Sequence, residues 1–219
     1  MYFRNTPVKL TDSRRHGAGT ELFIVEGDSA ASTVAALRDG QFQAVLPMQG
    51  KPLNAIKASA EKVAAYPLFK ALNESLDIDH SRPTVDLFVW DDLRFERLVL
   101  LFDPDADGIH SGALMLMFVY QYLRPLLDQG RVLMIHAPWV QISLTGQQAL
   151  YAYSEAQALA LTQQLRAQGQ SPQVVRYRGL SGIDRAILMQ TCIDPATRNA
   201  RVMTEQDALA AIEIFGANA

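Results

Sequence analysis

Three aspartates spaced two apart, Asp103, Asp105 and Asp107, followed by Gly108, close the apolar run Leu98-Val-Leu-Leu-Phe102. Such a run reads as a buried strand of a parallel sheet. Acids at its end fall where open α/β sheets hold their ligands. Three carboxylates this close repel one another unless a positive charge sits among them, and a hard divalent cation with oxygen ligands, Mg²⁺ first, answers that need. A solvent-exposed acidic turn is the plain alternative. A calcium loop would need a bidentate Glu at its twelfth position and a helix before it. Counting from Asp103, that position is Leu114, and the preceding run has strand character, so the calcium loop is rejected. A phosphatase with Asp103 as nucleophile and Asp105 as general acid stays open on the residues alone.

A second acid sits in a similar setting. Leu22-Phe-Ile-Val25 ends in Glu26 and Gly27, and the Ala-rich stretch Ser29–Leu37 follows. This reads as a strand, a tight glycine turn, and a helix capped by Asp28 or Ser29. If the two strands are neighbours, Glu26 and the aspartates share one sheet edge. Some of these acids could then hold a cation while one with a raised pKa handles a proton. A carboxylate that merely caps a turn is the competing reading of Glu26.

The residues around these acids carry a resemblance. Glu21-Leu-Phe-Ile-Val-Glu-Gly-Asp-Ser-Ala30, Gln43-Ala-Val-Leu-Pro-Met-Gln-Gly-Lys-Pro-Leu-Asn54, Asp103-Pro-Asp-Ala-Asp-Gly-Ile-His110 and Arg176-Tyr-Arg-Gly-Leu180 occur in one order. In that order they resemble the Toprim region of type IIA DNA topoisomerase B subunits, those of DNA gyrase and topoisomerase IV. Tyr120-Gln-Tyr-Leu-Arg-Pro-Leu127, Tyr151-Ala-Tyr-Ser154 and Asp194-Pro-Ala-Thr-Arg198 add weaker support. The likeness runs from about Pro7 to Phe215. It implies an α/β fold, a Rossmann-like parallel sheet flanked by helices, with a small α+β C-terminal appendage. Four ordered motifs place the phosphatase reading well behind.

By resemblance, Glu26, Asp103, Asp105 and Asp107 bind Mg²⁺, for which Mn²⁺ can substitute, and assist DNA cleavage and religation. Glu26, Asp103, Lys51 and Arg178 are the expected catalytic residues. Lys51, Asn54 and His110 are expected near DNA. A compact lysine charge suits a phosphate, although a solvated loop lysine is the commoner case, and His110 reads equally as a cap or a half-buried ring. The expected partners are DNA, a tyrosine-bearing gyrase A-type subunit and a separate ATPase-bearing B subunit.

The chain also departs from the family pattern. Ala31-Ser32 replaces the usual Gly-Gly, Arg178-Gly-Leu-Ser-Gly182 replaces K-G-L-G-E and so loses an acid, and Pro104 enters the metal loop, where it fixes φ and removes a donor. Every metal ligand is retained in an altered setting. Two further readings follow: a non-catalytic Toprim interaction or regulatory module, and a stand-alone Toprim nuclease. With 219 residues and no phosphate-loop motif, the chain is expected to lack the ATPase half and the C-terminal extension of a gyrase B subunit, as either a stand-alone protein or a fragment.

Composition is that of a globular protein, with 49% apolar and 20% charged residues. One cysteine, Cys192, excludes an internal disulfide and suits a small buried role. No stretch reads as a membrane span and the start lacks a secretory pattern, so a cytoplasmic location is expected. A net charge of −3 argues against strong independent DNA binding, because phosphate neutralisation supplies most of such affinity. The basic lead-in (Arg4, Lys9, Arg14, Arg15) reads as a mobile terminus or a short phosphate-touching arm.

The expected organisation is an irregular lead-in over 1–20, a Toprim core over 21–144 and the appendage over 145–219. Within the core, strands are expected at 22–26, 43–46, 98–102, 131–136 and 139–144. Helical pattern spans 54–76, broken near Pro67, and 108–127, stopped by Pro125, and a short strand is expected at 85–90. The appendage is expected to hold strands at 149–153 and 173–177, a helix from Ser154 with Gln157 as capping-box partner, and two closing helices.

Overall fold

The structure is a computed structural model that describes residues 9–78 and 93–216. The expected strand at 85–90 lies outside the described residues. The chain forms a central sheet from β1 (Gly17–Glu26), β2 (Gln43–Met48), β3 (Phe95–Leu101), β4 (Val132–Ile135) and β8 (Ala200–Val202), in the order β2-β1-β3-β4-β8. The first four strands run parallel; β8 joins β4 antiparallel. The helices are α1 (Asp28–Leu37), α2 (Ala60–Ala65), α3 (Pro67–Leu76), α4 (Ala106–Tyr122) and α5 (Arg124–Asp128), then α6 (Glu155–Ala167), α7 (Arg185–Leu188) and α8 (Glu205–Ala211). A second, antiparallel sheet has the order β6-β5-β7, from β5 (Val140–Ser143), β6 (Leu150–Ala152) and β7 (Gln173–Arg176).

Strand alternation sorts the core into two layers. On one face of the central sheet, Leu22, Ile24, Leu98 and Leu100 pack with Phe69, Leu72, Met115 and Phe118. On the other, Phe23, Val25, Val99 and Leu101 pack with Val34, Leu180, Leu188 and Cys192. All eight strand residues are fully buried. A parallel strand covered on both faces is therefore a continuous apolar run, the feature that makes it legible in sequence. Phe69 stacks on Phe118 with centroids 3.8 Å apart and binds α3 to α4 across the first layer. Burial of the Cys192 thiol pushes its pKa up to about 11, the state of an inert core residue.

Several expected boundaries move, each for a physical reason. β1 begins at Gly17, inside the expected lead-in, with a register shift against β3 between Gly17 and Glu21 that hides the strand's start. Thr11 exchanges backbone hydrogen bonds with Val45 at 2.8 and 2.9 Å, which ties down the chain ahead of β1. α1 is capped by Gly27, with no side-chain cap, and Asp28 opens the helix. The helical pattern from Asn54 becomes helix only at Ala60, because Asn54 Oδ1 accepts from the Ile56 and Lys57 N–H groups and closes a local turn. Pro125 stops no helix but lies in the first turn of α5, where its missing donor costs nothing. The strand expected at 139–144 belongs to the second sheet, and the central sheet is completed instead by β8 from the segment expected as appendage. At α6, Ser154 accepts from the Gln157 N–H as expected, but the Gln157 side-chain oxygen accepts from the Tyr153 N–H rather than from that of Ser154.

Candidate metal centre

β1 and β3 are parallel neighbours with Val25 opposite Leu101, so Glu26 and Asp103 emerge at the same C-terminal sheet edge. β2 ends at that edge too, with Met48 opposite Glu26, and the loop after it carries Lys51. Gly27 makes the exit from β1 possible. Its φ of 83° suits glycine, and its N–H donates to the Met48 carbonyl at 2.8 Å before α1 begins.

Glu26 is half-buried. Its Oε2 is shielded from solvent and has no hydrogen-bond partner among the described residues. Its Oε1 lies 3.5 Å from Ser111 Oγ, the outer limit of a hydrogen bond. Burial raises its pKa, and the negative charges of Asp103, Asp105 and Asp107 raise it further against the weak help of Ser111. Asp103 is held differently. Its Oδ1 accepts the Leu180 N–H at 2.8 Å. Burial raises its pKa as well; the Leu180 bond opposes this and Asp105 adds to it. A proton or a cation relieves both groups.

The other two aspartates are engaged. Asp105 is the N-cap of α4 and accepts the Gly108 N–H at 2.9 Å. Asp107 is exposed in the first turn of that helix and pairs with Lys51 Nζ at 2.7 Å. The Lys51 ammonium holds the Asp107 carboxyl below the usual range. Gly108 is required here because a Cβ at that position would lie 2.0 Å from the Asp103 carbonyl oxygen. Among the described residues, no three Asp, Glu, His or Cys side chains converge closely enough to grip a metal ion as they stand.

The expected DNA-facing residues are divided. Lys51 is about half exposed and Arg178 is exposed. Asn54 is committed to its turn and reaches the Phe215 carbonyl at 3.4 Å, while the His110 ring stacks on Phe215 with centroids 5.0 Å apart. Asn54 and His110 therefore gather around the C-terminal segment. Ser111 and the Leu180 backbone join the site without any mark in the sequence. The Arg178-Gly-Leu180 segment stands out for its arginine, whereas the contact with Asp103 comes from the Leu180 N–H, two residues on. An apolar cavity of about 270 Å³ opens beside Asp103, with Phe102, Gly112, Met134, His136 and Tyr153 in its lining.

A mostly parallel sheet between helices, with Glu at the end of one strand and an Asp loop at the end of its neighbour, defines the class. The sequence pattern of the Toprim domain family matches residues 21–136, and the chain belongs to that family. Over 95% of its length it is similar to the B subunits of DNA gyrases. The identity is 35% for the protein of Halalkalibacterium halodurans, 36% for that of Thermotoga maritima and 33% for that of Thermus thermophilus. The chain spans about a third of the length of these relatives (32%, 32% and 33%). Among the described residues, no helix is long and apolar enough to cross a membrane.

Proposed function

We propose that this chain is the Mg²⁺-dependent Toprim part of a gyrase B-like type II topoisomerase. It would assist DNA cleavage and religation together with a tyrosine-bearing gyrase A-type subunit and an ATPase-bearing B subunit. The observation that carries this reading is the pairing of Glu26 and Asp103 at adjacent strand ends, with a shielded Glu26 oxygen left unpartnered among the described residues.

The acids suit the cation in chemistry, and Asp105 and Asp107 would leave their present partners to join it. Glu26, Asp103, Asp105 and Asp107 are hard oxygen ligands, and the mutual charge that raises the Glu26 pKa is what a divalent ion removes. Bound there, Mg²⁺ or Mn²⁺ would supply charge neutralisation at a scissile phosphate and stabilise the leaving oxygen. Glu26, whose neutral form burial favours in the metal-free protein, would give up its proton as the cation binds. Asp103 would keep one oxygen on the Leu180 N–H and offer the other. Lys51, after leaving Asp107, would meet the DNA backbone as a compact point charge, and Arg178 as a planar guanidinium with several donors. Asn54 and His110 would support the same face through the Phe215 segment.

A second reading, the non-catalytic Toprim module, is favoured by the commitment of Asp105 and Asp107 to other partners and by the missing acid of the Arg178–Gly182 segment. Thermal shift and cleavage assays separate the two. Mg²⁺ or Mn²⁺ should raise the Tm of the wild type and leave Asp103→Ala/Asp105→Ala unmoved; equal shifts would remove the metal role. With a gyrase A-type subunit, an ATPase-bearing B subunit and supercoiled plasmid, metal-dependent cleavage complexes that vanish in Glu26→Ala support the enzyme. Co-purification without cleavage supports the module. Cleavage by the isolated chain would favour the nuclease.

A further inference from the structure

We propose that the Gly179-Leu180 turn is the positioning element of Asp103 and sets the affinity of the metal centre, an inference that rests on the metal-binding reading above. The two parts lie 77 residues apart in the chain, yet Leu180 N–H donates to Asp103 Oδ1 at 2.8 Å. A Cβ on Gly179 would lie 3.0 Å from Oδ2 and 3.4 Å from Cγ and Oδ1. The turn therefore fixes one oxygen and, by lacking a side chain, leaves room for the other. A carboxylate held this way meets a cation with its rotamer already chosen, as the outer hydrogen-bond partners of metal ligands generally arrange.

The turn itself is firmly mounted. Leu180 is 1% exposed and packs in the second core layer, with Tyr177 and Ile183 buried beside it. Tyr177 N–H donates to the Trp139 carbonyl at 2.9 Å, which ties the strand leading into the turn to the second sheet. The backbone of Gly179 is extended (φ −179°), a conformation open to any residue. The neighbours crowding its missing Cβ are atoms of the Asp103 side chain. Glycine at this position leaves the space in front of the carboxylate, which a Cβ would push aside by a few tenths of an ångström; the turn itself does not call for it. The second sheet thus acts on the metal centre through one backbone N–H.

The test uses Mn²⁺ calorimetry on the whole chain with Gly179→Ala, Asp103→Asn and the double variant. Gly179→Ala should weaken Mn²⁺ binding roughly tenfold, the scale seen when outer-shell partners are lost, while the metal-free Tm stays within about 2 °C of wild type. In the Asp103→Asn background the same change should add nothing. Unchanged Mn²⁺ affinity in Gly179→Ala, or an equal loss in the Asp103→Asn background, overturns the positioning role. If the wild type takes up no Mn²⁺, the metal reading fails by itself. The contact is then read from the Leu180 amide, whose hydrogen exchange should speed up in Asp103→Ala and in no other nearby amide of the turn. An unchanged Leu180 exchange rate overturns the contact as well.

Discussion

At the scale of single residues, the acidic cluster at the sheet edge stores unfavourable charge. Glu26 carries a shielded oxygen with no partner among the described residues, and a pKa raised above its ordinary value of 4.5 by burial and then by Asp103 and Asp105. A carboxyl raised by folding contributes stability that is complete below its unfolded pKa and is lost as pH rises through the folded one. Metal-free protein should therefore gain Tm as pH falls from neutral toward 4.5. Glu26→Gln should raise the neutral-pH Tm and flatten this part of the profile, as scanning calorimetry in chelator would record. The opposite sign holds for Asp107, whose pKa is depressed by Lys51. That pair is exposed and adds little to stability. Lys51→Ala should leave the Tm nearly unchanged. In the assembled cleavage complex it should reduce the slope of log affinity against log salt by about 1, the loss of one phosphate contact.

At the scale of elements, the passage from β3 into α4 decides whether the acids converge. Asp105 caps the helix through the Gly108 N–H, which folds the loop back on the Asp103 carbonyl. No side chain fits between them. Gly108→Ala should thus cost on the order of 3 kcal/mol in urea unfolding, since backbone has to move rather than a flexible side chain. It should disturb Asp103 and Asp105 together. Pro104, which looks disruptive in a metal loop, sits between the end of β3 and this cap, in a bend that calls for no ladder hydrogen bond.

At the scale of the whole molecule, the last third of the chain is part of the central fold. β8 completes the main sheet, the 180 region braces Asp103, and Arg198 reaches Glu21 at the start of the buried part of β1. The Arg198–Glu21 pair is bidentate at 2.7 and 2.6 Å, with both side chains 3% exposed, and Gln43 donates a further bond to the same carboxylate at 2.9 Å. Removal of one partner leaves a buried charge, so Arg198→Ala should destabilise by about 3–5 kcal/mol in equilibrium denaturation. Because Arg198 anchors the segment between α7 and β8, the loss should be cooperative across the chain rather than confined to its C-terminal part.

By itself the sequence determined the parallel strands, the strand ends bearing Glu26 and Asp103, and the family. Strands buried on both faces need continuous apolar runs, and the residues at the ends of such runs fall at the edge of the sheet. It also marked Lys51 and the Arg178-Gly-Leu180 segment. Tertiary structure alone decided which partner each acid takes. Asp105 turns to its helix and Asp107 to Lys51, Asp103 is held by the Leu180 N–H, and Glu26 keeps one shielded oxygen without a partner among the described residues. Tertiary structure also decided that 139–144 leaves the core, that β8 enters it as an antiparallel edge, and that Leu180 and Arg198 return to Asp103 and Glu21. Those contacts span 77 and 177 residues and involve backbone groups or lone charges with no periodic pattern. A local sequence rule has nothing to register there, because the partner is chosen by the packing of the sheets.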